Sequence, residues 1–271
     1  TGSGKAAGIA AAMAELTGDI VVFSDVRQIF RPDAIEKLVA NFADDSVGAV
    51  SGELRFGDGN NVLGAYWRYE TALRRLESRF DSMVGCAGAI YAVRRELVNP
   101  PPAGLILDDV WIPEHVVFAG YRVVYEEEAV ADEQREIRTG EEFRKKVRTL
   151  AGNLQLVQKS RKFLSRRSNR LWWTFAAHKL ARLAVPVLML IALSVAPLVQ
   201  PPFGAVLFWG QVALYAIALL AYRFEGIARH CGVCRLLEAF VTLNLAAAVA
   251  LVHGIRGTYD KLWTTRQVEQ T

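Results

Sequence analysis

The chain has 271 residues, 52% of them hydrophobic, with 32 Lys/Arg against 28 Asp/Glu, which is enough for one or two domains and a sizeable core. Its net charge of +4 conceals an asymmetry: residues 1–142 carry 14 Lys/Arg and 24 Asp/Glu, a balance of −10, whereas residues 143–271 carry 18 and 4, a balance of +14. Basic residues kept apart from the acidic half and set beside apolar segments argue against a nucleic-acid binder and for an anionic membrane surface.

In chain order, residues 6–16 read as an Ala-rich helix stopped by Gly18. Ile20 to Phe23 is a short, wholly apolar run, the pattern of a strand covered on both faces. It delivers a carboxylate, Asp25, near its C-terminal end. Pro32-Asp33 opens a helix through Phe42, with Pro at a tolerated early position. Val47 to Phe56 reads as a strand, Val62 to Phe80 as a long amphipathic helix, and Met83 to Val93 as loop passing into strand. Asp108 to Gly120 has helical spacing, Tyr121 to Tyr125 is a strand, and Glu141 to about Lys162 is a further helix. Strands alternating with helices predict an α/β layered domain with a mostly parallel sheet.

Beyond Phe143 the solvent changes. From Phe143 to Arg182 there are twelve Lys/Arg and no Asp/Glu. Three apolar runs follow, at about 180–199, 203–222 and 236–253, each near the ~20 residues that cross a ~30 Å hydrocarbon core. Pro201-Pro202 predicts a tight turn between the first two. Core helices of a soluble domain are the alternative, but three such runs with little polar surface between them are hard for a small domain to cover. Trp172-Trp173 and Phe175–Ala184 suit the membrane interface. By the positive-inside rule the basic flank, and the acidic domain with it, faces the cytoplasm. The resulting organisation is a domain at 1–142, basic amphipathic or interfacial helices at 143–179, transmembrane helices at 180–255 and a tail at 256–271.

Several residues could carry chemistry. Asp25 stands where ligands bind in α/β sheets and could hold a hard divalent cation, or simply cap the turn after its strand. Asp108 and Asp109, adjacent and before a helix, could divide between an N-cap and a side chain in a cleft, and their repulsion would raise one pKa, as suits a general base. Gly2-Ser-Gly-Lys5 invites a phosphate-loop reading, but Ala6 stands where Ser or Thr must reach magnesium. Among Arg144, Lys145, Lys146 and Arg148, a solvated or membrane-facing role competes with neutralising a diphosphate. The three cysteines, Cys86, Cys231 and Cys234, are too few for a disulfide framework, which favours a reducing compartment for the acidic half. His230-Cys231-Gly-Val-Cys234 lacks a second ligand pair for zinc and reads as a short loop between spans. The first residue, Thr1, lies close to a helix start with no signal peptide, so we expect a further N-terminal portion.

Together, Gly4-Lys5-Ala-Ala, Asp19-Ile-Val-Val-Phe-Ser-Asp25, Pro32-Asp-Ala-Ile, Val47-Gly-Ala-Val-Ser-Gly52, Gly88-Ala-Ile-Tyr-Ala-Val-Arg-Arg95, Leu107-Asp-Asp109, Gly120-Tyr-Arg-Val-Val-Tyr125 and Arg148-Thr-Leu-Ala-Gly-Asn-Leu-Gln155 resemble the membrane-bound family 2 glycosyltransferases. These include the synthases of cellulose, hyaluronan and poly-N-acetylglucosamine. The resemblance implies a glycosyltransferase-A-type nucleotide-binding domain, partial here because its first nucleotide-binding strand is missing, followed by transmembrane helices. It implies that Asp25 is the first acid of the D-x-D metal and diphosphate motif, with Arg27 in place of the second. It also implies that Asp109 is the base, Asp108 its acidic neighbour, Lys5 and Arg148 donor or diphosphate contacts, and Gly85, Gly88 and Ala89 part of the acceptor side. Lys145 and Thr149 replace the Gln and Trp of the family's Q-x-x-R-W motif. The implied reaction is an inverting transfer, with Mg2+ or Mn2+, from a nucleotide-diphosphate sugar to a lipid-linked or polysaccharide acceptor at the cytoplasmic face of the cell's inner (plasma) membrane. The alternative is a non-catalytic membrane-anchored homologue or a subunit of a polysaccharide synthesis complex.

Overall fold

A computed structural model describes residues 4–56, 62–133, 139–224 and 231–263. Gly2, Ser3 and the tail beyond 263 lie outside these. The chain separates into two compact units, one formed by 1–137 with 155–176 and the other by 138–154 with 177–271.

The first unit is built on α1 (Lys5–Glu15), β1 (Ile20–Ser24), β2 (Gln28–Phe30), α2 (Ala34–Ala40), β3 (Val47–Phe56), α3 (Val62–Phe80), β4 (Ile90–Arg94), α4 (Asp108–Phe118) and β5 (Arg122–Glu133). Its five-stranded sheet has the order β1-β4-β3-β5-β2. Ala34, Leu38 and Phe42 from the α2 region pack on Val50, Ile90, Ala92, Val124 and Ala131. The alternate residues Ala49, Tyr91, Val93 and Val123 are fully buried as well, and α3 and α4 lie against β3 and β5. A sheet covered on both faces explains why β1 and β4 read as continuous apolar runs.

The sheet is mixed, not mostly parallel as the alternation of elements predicts. Only β3–β5 is parallel; β1–β4, β3–β4 and β2–β5 are antiparallel. The cause is the passage from α3 to β4. Ser82 Oγ accepts the N–H of Val123 near the start of β5, and Ser51 Oγ in β3 accepts the N–H of Ala87. Residues 82–87 therefore travel forward along the sheet, and β4 has to return against it.

The fifth strand also exceeds its expected end at Tyr125. Its register on β3 jumps from Ser51↔Tyr125 to Glu53↔Val130, so Glu126-Glu127-Glu128 is carried in a bulge and pairing then resumes. Lys37 Nζ donates to Glu128 at 2.6 Å, Asn41 Nδ2 donates to Glu126 at 3.0 Å, and Arg75 pairs with Glu127. These partners let three consecutive acids interrupt a strand.

Residues after α5 (Thr139–Lys159) return to this unit. Phe163 is fully buried among Trp111, Phe118 and Phe175. Asn169 Nδ2 donates to the buried Glu114 carboxylate at 3.0 Å. Arg170 donates to both Asp81 oxygens, to Ser82 Oγ and to the carbonyls of Val117 and Tyr121. One guanidinium thereby joins the ends of α3, α4 and the turn into β5.

Three helices, α6 (Trp172–Leu198), α7 (Phe203–Arg223) and α8 (Gly232–Arg256), are each long and apolar enough to cross a membrane, and all but the first residues of α6 belong to the second unit. Val147 and Ala151 of α5 pack with Leu183, Ala246, Ala247 and Ala250, and the three alanines of α8 let its neighbours approach closely. Cys231 and Cys234 are joined in a disulfide rather than forming a plain loop. The first turn of α8 brings their Cα atoms to 5.2 Å, within bridging distance.

Arg170→Met should destabilise the protein by about 2 kcal/mol, the scale of one charge-assisted hydrogen bond. Hydrogen bonding from Arg170 holds the Asp81 carboxyl below its ordinary value. Its contribution is therefore full above the unfolded value near 3.9 and fades as pH falls through the lower folded one. Thermal unfolding across pH should show the gap between variant and parent narrowing below about pH 4.

Candidate active site

Strands β1 and β3 both run against β4 and so are parallel to each other, which brings their C-terminal ends to one edge of the sheet. That edge is where α/β sheets bind ligands. Asp25 follows β1 there, and the first residue of α4, Asp108, reaches the same place. The link between them is Lys5, at the start of α1. Its ammonium lies 3.0 Å from Asp25 Oδ1 and 3.1 Å from Asp108 Oδ2. Burial pulls the Lys5 pKa down more than any other single influence, but Asp108 and Asp25 together outweigh it, so the pKa lies above the ordinary lysine value.

The two adjacent acids occupy different surroundings. Asp108 is 7% exposed and paired with Lys5, so the repulsion expected between the acids is met by a cation. Asp109 is half-buried and sits against the 85–89 loop. A Cβ at Gly88 would lie only 2.9 Å from Asp109 Oδ2, and Gly85 has φ 86°. Glycine at the first position makes room for the carboxylate, and at the second it permits a backbone that other residues rarely adopt. The loop is further held by the Cys86 N–H donating to the Asp109 carbonyl at 2.8 Å and the Ala87 N–H donating to Ser51 Oγ at 2.9 Å. Neither acid caps the helix, contrary to the sequence expectation. Leu107 is at the cap position, with no side-chain capping bond, and the two acids follow it as the first residues of the helix.

Of the residues singled out from sequence, Lys5, Asp25, Asp108, Asp109, Gly85, Gly88 and Ala89 all belong to the first unit, with Ala89 buried beside Gly88. Arg148, half-buried on α5, belongs to the second. Arg27, where the motif would carry its second acid, is exposed.

Three further residues shape this edge. Tyr91 in β4 is fully buried, stacks on Phe23 with ring centroids 4.5 Å apart, and has a hydroxyl without a hydrogen-bond partner among the described residues. Burial first, then the charges of Asp108, Cys86, Asp109 and Asp25, raise its pKa well above the ordinary phenol value. It is therefore a neutral phenol next to the acids. A tyrosine inside an otherwise apolar strand was the available signal. Ser51 gave none, being a small residue in a strand. Gln155 holds the approach to the acids: its Oε1 accepts the buried N–H of Ile106 at 2.9 Å and its Nε2 donates to the Gly104 carbonyl at 2.9 Å.

Among the described residues no group of three or more His, Cys, Asp or Glu forms a ready-made metal cage. Asp25 and Asp108 nevertheless flank one cationic position, now spanned by Lys5 Nζ. Two hard carboxylates suit Mg2+ or Mn2+, whose remaining ligands come from phosphate oxygens and water in such sites. The donor set fits a cation that arrives with a diphosphate.

Residues 1–152 match the family described as glycosyltransferase like family 2. The chain belongs to it. No curated protein sequence matches. Among solved structures, this family 2 glycosyltransferase chain is similar to a mannosyltransferase from Pyrobaculum calidifontis in complex with GDP-mannose and Mn2+. That likeness has 22% identity, a TM-score of 0.68, and covers 93% of this chain and 66% of that one. It is also similar to glucosyl-3-phosphoglycerate synthase from Mycobacterium tuberculosis in complex with Mn2+, UDP-glucose and phosphoglyceric acid, at 23% identity and a TM-score of 0.35, over 56% of this chain and 54% of that one. The chain thus spans less than two thirds of either. The fold is the glycosyltransferase-A type of α/β domain, followed by three helices long and apolar enough to cross a membrane.

Lys5→Met should lower thermal stability near neutral pH, because it leaves the nearly buried Asp108 carboxylate without its cation. The Lys5 pKa is raised on folding, so its contribution is present below the unfolded value near 10.4 and lost as pH rises through the folded one. Melting curves should therefore converge above about pH 10.5. A constant difference at all pH values would mean that the ion pair contributes nothing.

Proposed function

We propose that the chain carries the catalytic acids of a membrane-bound, inverting family 2 glycosyltransferase that moves a sugar from a nucleotide-diphosphate donor to a lipid-linked or polysaccharide acceptor. The observation that carries this reading is the division of labour between neighbouring acids. Asp108 shares Lys5 with Asp25, whereas Asp109 is seated on the loop at Gly88. Two carboxylates in two environments suit two roles.

In the proposed reaction Asp109 takes the proton of an acceptor hydroxyl as its oxygen attacks the anomeric carbon. The bond from that carbon to the donor's phosphate oxygen breaks in the same step, and the nucleoside diphosphate leaves with the electron pair. A single displacement inverts the anomeric centre. Asp25 would hold a divalent cation, which when bound would offset the charge gathering on the leaving diphosphate. Lys5, already beside the acids, supplies further positive charge; Arg148 is assigned to the diphosphate by the family resemblance alone. The mannosyltransferase relative carries both a nucleotide sugar and Mn2+, which supports this donor class without specifying the sugar. Gly85, Gly88 and Ala89 line the acceptor side.

The three apolar helices and the twelve basic residues between Phe143 and Arg182 support a multi-pass protein of the inner (plasma) membrane whose catalytic domain is cytoplasmic. With Thr149 where the processive synthases carry Trp, we favour short products over long polymer. Arg27 at the second motif position favours one other reading, a non-catalytic homologue within a polysaccharide synthesis complex.

Asp109→Asn should lower transfer by ~10²–10⁴ while leaving donor binding intact, since a base acts on the acceptor. Labelled sugar transfer in membranes, beside nucleotide binding, distinguishes these effects; near-normal turnover would remove Asp109 from the role and favour the other reading. Orientation is tested separately. In a cysteine-free background, Asp45→Cys should resist an impermeant thiol reagent in intact cells and Gln200→Cys should react. The reverse pattern would overturn the cytoplasmic assignment.

A further inference from the structure

Helix α4 contains a proline in its interior, Pro113, five residues after Asp108. Proline has no backbone N–H, so the carbonyl four residues earlier loses its helical donor. That carbonyl belongs to Asp109. It accepts instead the N–H of Cys86, at 2.8 Å, from the loop whose Gly88 borders the Asp109 carboxylate. The loop meets the same oxygen closely elsewhere: a Cβ at Gly85 would approach it to 3.2 Å. Asp109 is thus met twice by one loop, at its backbone oxygen and at its side chain.

We propose that Pro113 is a positioning residue. By withholding an N–H it reserves the Asp109 carbonyl for Cys86, and so fixes the acceptor-side loop against the base. This rests on the reading of Asp109 as the base, but the contact itself can be measured without turnover. Any other residue at 113 restores a helical N–H aimed at the same oxygen. Cys86 then competes for its acceptor, and the 85–89 loop loosens from α4. Sub-ångström placement matters here because misplacing reacting groups by about 1 Å costs on the order of 10²-fold in rate. Burial alone does not call for proline at this point. Pro113 sits between Ile112 and Glu114, both fully buried, and an alanine or valine would serve a core position without disfavouring the helix.

The test uses the full-length protein in nanodiscs, with Pro113→Ala and Pro113→Val, the second keeping most of the buried volume. Cys86 is the cysteine outside the Cys231–Cys234 disulfide, so iodoacetamide followed by peptide mass spectrometry reads its accessibility directly. Deuterium uptake over 83–89 reads its N–H. Both variants should alkylate at Cys86 about two- to tenfold faster, the factor that one backbone hydrogen bond carries, with faster exchange confined to 83–89. Thermal midpoints should stay level or rise, because both replacements favour helix over proline. A proline with only a structural role would give the opposite: exchange and stability changes within α4, with the loop untouched. Wild-type Cys86 alkylation in either folded variant overturns the proposal. An active Asp109→Asn protein would instead overturn the reading of the base and leave the loop contact standing.

Discussion

The ammonium of Lys5, held between Asp25 and Asp108, is the interaction on which the rest of the site depends. It joins three segments that are distant in sequence: the start of α1, the end of β1 and the start of α4. Burying a carboxylate as deeply as Asp108 is costly unless a cation lies beside it. With Lys5 as that partner, Asp108 is tied to Asp25, while its neighbour Asp109 lies against the loop at Gly88. Lys5 and Asp25 are both more than a third exposed, so solvent screens their attraction. The geometry matters here more than the stabilisation.

Around this pair the fold supplies walls rather than further charges. Gln155 fixes the backbone leading into the acids, Ser51 and the Asp109 carbonyl hold the 85–89 loop, and Tyr91 is buried and stacked on Phe23 in the neighbouring strands. Each of these contacts ends on a backbone group or a neutral side chain. The site therefore keeps its shape without adding charges that would compete for a diphosphate.

Much of this was legible from residue order. The apolar run Ile20–Phe23 predicts β1 and hence the position of Asp25, and helical spacing after Leu107 places Asp108 and Asp109 at a helix start. What remained hidden was hidden for identifiable reasons. The direction of β4 depends on where residues 82–87 cross the sheet, which no local pattern encodes. The continuation of β5 past Glu126-Glu127-Glu128 depends on Lys37, Asn41 and Arg75, all distant in sequence. β2 is only three residues long, too short for any periodicity. Lys5 entered the site by resemblance alone; its pairing with both acids is a tertiary fact. The roles of Gln155 and Pro113 lie in backbone groups, the Ile106 N–H and Gly104 carbonyl for one and the Asp109 carbonyl for the other, which residue order does not show.

The family places the chain among sugar transferases, and the chemistry we propose for its acids is one base, one displacement and one inversion. The most direct measurement is the anomeric configuration of the transferred sugar. Membranes carrying the full-length protein, supplied with Mg2+ or Mn2+ and a panel of isotope-labelled α-linked nucleotide sugars, should convert one donor into a β-linked product resolvable by NMR. An α-linked product would contradict a single displacement driven by Asp109.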